Sequence, residues 1–99
     1  MEQIWKLVAE ILVEPGDMSS GLTKGFVNVT TWAYSADSAR EKLAQYIKRF
    51  NWHVIGIEDA RPVGDDEEYE DEQMEDMIAR TRTNPKAIIL GTFHGYKEN

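Results

Sequence analysis

His53 and His94 are the two histidines of this sequence, and histidine is the common general acid or base at neutral pH. His53 follows Trp52 at the start of one expected strand, and His94 lies near the end of another. Clustered with Trp32, Tyr34 and Tyr96, His94 could frame a small-molecule site at one end of a sheet. Yet neither histidine sits in a local motif, and no G-x-S-x-G nucleophile pattern occurs. The chain has no cysteine, which removes thiol nucleophiles, thiolate zinc sites and disulfides. A small-molecule binding protein or small enzyme using Trp32, Tyr34, His94 and Tyr96 is therefore the alternative reading. No catalytic residue, metal site or cofactor is assigned.

Carboxylates are the second chemical resource. Nine of the twelve residues from Asp65 to Asp76 are acidic, half of all those in the chain. A calcium loop of the EF-hand type would need oxygen ligands at alternate positions and a glycine at its turn. Asp65 and Glu67 fit, but Tyr69 and Glu70 stand where a ligand and the glycine belong, so the match fails. Glu68, Glu72 and Asp76 recur every four residues, which stacks like charges on one helix face at a cost in stability. Such a surface can steer a basic partner; plain solubility is the competing reason. The spacing of Gly16 and Gly21 superficially resembles a phosphate loop, but Leu22 follows Gly21 and Lys24 is displaced. The glycosylation sequon Asn28-Val29-Thr30 falls within an expected strand of a chain with no secretory signal.

At 99 residues and 41% apolar composition, one domain spanning 1–99 with a single core is expected. The opening MEQIWKLVAEILVEPG lacks a basic start and a cleavage site, and no apolar run reaches eighteen residues. A soluble cytoplasmic protein with no membrane association is the expectation. The formal charge of −7 is local: the acidic window alone carries −9, which leaves the remainder at +2. No basic stripe with interleaved aromatics points to nucleic acid.

The elements that would position these groups follow from periodicity. Trp5, Leu7, Ala9, Ile11 and Val13 alternate as one face of a strand. Residues 15–25 read as a loop, and FVNVTTWA as a second strand rich in β-branched and aromatic residues. Ser35 or Asp37 can cap a helix in which Ala36, Ala39, Leu43, Ile47 and Phe50 recur at helical spacing, with Asn51 ending it. A third strand runs to about Pro62. A second helix runs from about Glu67 to Arg82, with Met74, Met77, Ile78 and Thr81 as its stripe and Asp76–Arg80 as a surface pair. Asn84-Pro85 ends it, and KAIILGTFHGY is a fourth strand.

The order ββαβαβ predicts an α+β two-layer sandwich: a four-stranded, mostly antiparallel or mixed sheet with two helices on one face, in the style of ferredoxin-like folds. With both helices on one side, Ile4, Val8, Leu12, Phe26 and Trp32 would face away. That apolar patch is larger than monomers usually leave open, so a homodimer interface is expected there. The leading functional expectation is a noncatalytic protein-interaction module, inhibitor- or immunity-like or an assembly subunit. It would present Glu68, Glu72 and Asp76 to a basic protein partner.

Overall fold

Trp5, Leu7, Ala9, Ile11 and Val13 alternate along Gln3–Val13, a long strand, β1, at the centre of the sheet. The computed structural model describes residues 2–13, 23–64 and 71–96. β1 pairs antiparallel on one side with β2 (Thr23–Ala33) and on the other with β3 (Trp52–Pro62). β2 then pairs, again antiparallel, with β4 (Ile88–Leu90) and β5 (His94–Tyr96). The result is an α+β fold with a five-stranded antiparallel sheet in the order β3-β1-β2-β4, β5 lying beside β2 past β4. β2 and β3 both oppose β1, so they run parallel to each other, as a crossover through one helix requires.

Helix α1 (Ala36–Ile47) begins where Ser35, in extended conformation, accepts a hydrogen bond from Ser38 N at 3.1 Å. That cap satisfies one of the amides a helix start leaves unpaired and is worth about 1 kcal/mol. A short 3-10 turn, Lys48–Phe50, follows. Asn51 then adopts the left-handed conformation at φ 60°, turning the chain into β3. Helix α2 (Glu72–Arg82) is capped by Asp71, whose side chain accepts from Gln73 N at 2.9 Å. The expected start near Glu67 lies outside the described residues. Neither helix is long and apolar enough to cross a membrane.

The placement of the helices differs from the sandwich expected with both on one face. Odd-numbered residues of β1 and β2, among them Leu7, Ile11, Val27 and Val29, pack with Ala39, Leu43 and Ile47 of α1. Ile4, Trp32 and Ile89, from the opposite face, pack with Met74, Met77 and Ile78 of α2. The two helices therefore cover opposite faces of the sheet, and the described residues form two apolar clusters rather than one. The physical reason is visible in β1, which is half apolar on its second face. A strand apolar on both sides asks to be covered on both.

Polar groups fasten α2 alongside its methionines: both kinds of contact run along its inner side. Thr81 Oγ1 donates to Met77 O at 2.7 Å, and Thr30 Oγ1, 2.8 Å from the Thr81 hydroxyl and 3.4 Å from the same carbonyl, closes a buried triangle of polar atoms. Trp32 Nε1 donates to Thr81 O at 2.6 Å, satisfying a carbonyl near the end of the helix. At the far side of the same helix, Gln73 Nε2 donates to Thr92 Oγ1 at 2.9 Å.

The expected fourth strand is broken in two. Three residues, Gly91 to Phe93, span a gap that takes two on β2, so the edge bulges. The bulge carries Phe93 onto the α1 face, over Gly25, where it meets Trp52 with ring centroids 5.4 Å apart. β2 also starts three residues before the expected Phe26, because Gly25, read as part of a loop, pairs with Ile11 and Gly95.

Two stability predictions follow from these contacts. A Cβ on Gly25 would stand 2.5 Å from Phe93 Cζ, 2.6 Å from the His94 carbonyl oxygen and 2.8 Å from Gly95 Cα. Gly25→Ala should therefore cost about 1–3 kcal/mol in urea denaturation. It should remain destabilising in a Phe93→Ala background, since two of the three collisions are with backbone. Thr81→Val should cost about 1–3 kcal/mol, because it leaves the buried Thr30 hydroxyl only the long 3.4 Å approach to Met77 O, whereas Thr30→Val, which keeps the 2.7 Å bond from Thr81 Oγ1 to that carbonyl, should cost about 1 kcal/mol or less. Equal losses for the two would refute this ranking of the two contacts.

Candidate interaction surfaces

The register of β2 decides which of the sequence-expected residues meet. Trp32 lies opposite Ile4, and Tyr34 follows the strand as an exposed residue. His94 lies opposite Phe26, and Tyr96 opposite Lys24. Six residues of strand separate Trp32 from Phe26, about 20 Å at strand rise. Trp32 and Tyr34 thus stand at one end of β2, His94 and Tyr96 at the other, and the proposed aromatic–imidazole cluster does not form. His53 is on β3, opposite Leu12, with β1 and β2 between it and the β5 edge.

The five residues expected at a dimer interface also separate. Ile4 is 4% exposed beneath α2, and the Trp32 indole is engaged by the same helix. The chain itself covers that end of the face, without a second copy. Val8, Leu12 and Phe26 remain half-buried farther along.

The acidic surface is ordered by the packing of α2. At about 100° per residue, Met74, Met77, Ile78 and Thr81 centre on one side of the helix and Glu72, Glu75 and Asp76 on the other. Asp71, Glu72, Glu75 and Asp76 are all exposed. Asp76 pairs with Arg80 at 3.7 Å, an exposed i,i+4 contact of small energetic weight. Glu68, the third member of the expected series, lies outside the described residues.

Titratable chemistry is sparse elsewhere. Asp59 is held below the usual carboxylate range, first by the hydrogen bonds from the Arg61 guanidinium, which approaches to 2.6 Å on the exposed edge of β3. Both side chains are solvated, so the pair is a surface contact. Among the described residues, no three His, Asp or Glu side chains are grouped to hold a metal ion.

One surface gives no signal in the sequence. Tyr46, Phe50, Trp52 and Phe93 form a row of rings with successive centroids 5.8, 6.0 and 5.4 Å apart. Phe50 is 49% exposed within this row, although its spacing marked it as a core position. It was displaced because the helix tightens to a 3-10 turn at Lys48 and rotates the ring off the buried stripe. Tyr46, Phe50 and Trp52, with Ile88 to Leu90 and Arg80, line an open cleft of about 550 Å³ along the β4 edge.

No protein-family model, curated protein or solved structure matches this chain.

Proposed function

We propose that this protein is a noncatalytic protein-interaction module, inhibitor- or immunity-like or an assembly subunit, working in the cytoplasm and presenting the outer face of α2 to a basic partner. The observation that carries this reading is the opposition of two stripes on one short helix. Burying Met74, Met77, Ile78 and Thr81 turns Glu72, Glu75 and Asp76 outward together. A helix start favours one or two acids through its dipole, each worth about 0.3–1 kcal/mol. Four exposed acids from Asp71 to Asp76, in a chain that carries +2 outside residues 65–76, exceed that need.

Electrostatic attraction of this kind accelerates encounter and weakens with salt. Replacing Glu68, Glu72 and Asp76 together with Lys should abolish capture of a basic protein from native extract at low salt. The wild-type complex should dissociate as ionic strength approaches about 0.5 M, where screening acts within a few ångströms. Capture unchanged by the triple substitution, or none by the wild type, would overturn the proposal.

Homodimerisation is a separate proposal resting on Val8, Leu12 and Phe26. Light scattering at low and high salt checks it: a dimer mass that survives high salt supports an apolar interface, and a monomer mass at both rejects it.

A further inference from the structure

The hydrogen-bond pattern of β4 determines what its open side offers. Gly91 N donates to Asn28 O at 2.8 Å, which makes Asn28 and Gly91 a hydrogen-bonded pair. Such pairs alternate along an antiparallel ladder, so Thr30 and Ile89 form the next one. The N–H and C=O groups of Ile88 and Leu90 consequently point away from β2. β4 pairs with no second strand among the described residues, and these four groups border the aromatic cleft.

The geometry points to the β4 edge as a strand-accepting site for an extended segment of another protein, one that carries an apolar or aromatic side chain beside a carboxylate. Three features of one cleft specify that chemistry. The outward backbone groups of Ile88 and Leu90 require a partner with its own N–H and C=O in extended form. Tyr46, Phe50 and Trp52 supply an apolar shelf for an alternate side chain. Arg80 lines the cleft, and Arg49 stacks on Tyr46 at 4.8 Å, so the charge beside the shelf is positive in a chain of net −7. The Asp76–Arg80 contact at 3.7 Å is too long for a hydrogen bond and leaves the guanidinium able to take a carboxylate. The charge fit selects an acidic segment over a second copy of β4, which would bring Ile88 to Leu90 but no carboxylate of its own.

This site is independent of the acidic-face proposal, which concerns the first half of α2 and a partner of opposite charge. The test uses the isotope-labelled full chain and the capped peptide acetyl-Glu-Val-Phe-Val-Asp-amide. A control peptide has the same side chains but is N-methylated at alternate residues, which blocks ladder hydrogen bonds. The peptide should shift the amide resonances of Ile88 and Leu90 and slow their exchange, and the N-methylated control should not. Arg80→Glu and Phe50→Ala, both at exposed positions, should each weaken binding about tenfold. Any of three results overturns the proposal: no shift at Ile88 and Leu90 up to about 5 mM peptide, equal binding of the control, or protection of both amides without peptide in a sample of dimer mass. The last would place a second copy on the edge. Glu72→Lys should leave peptide binding unchanged, which separates this site from the acidic face.

Discussion

The hydrogen bonds from Trp32 Nε1 and Thr30 Oγ1 to the last turn of α2 hold that helix against the face of the sheet opposite α1. Much else depends on where they hold it. With the end of α2 pinned over β2, the chain must return to the sheet beside β2, and it does so as β4. The same attachment decides which side of α2 is wet. Thr81 cannot meet Thr30 unless Met77, one turn earlier, faces inward too, and the acids of the first turns are then outward by default. A hydroxyl and an indole on one strand thus orient a surface on a helix some fifty residues away.

Much of this order was legible in the residues. The alternation of Trp5 to Val13, the cap at Ser35, the stripe of Ala39, Leu43 and Ile47, the left-handed Asn51, and the buried set Met74, Met77, Ile78 and Thr81 all stand where their periods and types placed them. These are local properties, set by geometry that repeats every two or every 3.6 residues. The expected strand 86–96 ends where it was placed, at Tyr96, but it begins at Ile88 and is not continuous. Its Gly91 was the one available sign that the ladder would break.

What was not legible depends on pairing. Both helices were assigned to one face because the second face of β1, with Ile4, Val8 and Leu12 beside Lys6 and Glu10, gives no single answer about what covers it. Ile4, Val63 and Ile89 are far apart in sequence and become a cluster only when α2 closes over them. The same holds for the proposed ligand cluster. In an antiparallel pair, rising residue numbers on one strand run against falling numbers on the other. The tail of the chain is therefore carried toward the start of β2, and Tyr96 meets Lys24 rather than Tyr34. Proximity in residue type is no guide until the register is known.

The two edges of the sheet are treated differently, and the contrast bears on function. β3 carries register shifts opposite Val8–Ala9 and Glu10–Ile11, a charged pair at Asp59 and Arg61, and a terminal proline. Each of these blunts an edge against unwanted pairing. β4 carries no charge or proline within its three apolar residues, and among the described residues its brevity and the bulge at Gly91–Phe93 are what limit pairing there. A short apolar edge limits how much strand can add, so backbone pairing there could contribute only a few net hydrogen bonds of about 1 kcal/mol each. The aromatic shelf and Arg80 stand where such a weak ladder would need reinforcement, on side chains that α1 and α2 hold from opposite faces of the sheet. The division of the helices between the two faces, which the linear order conceals, is therefore also what builds a cleft around the edge.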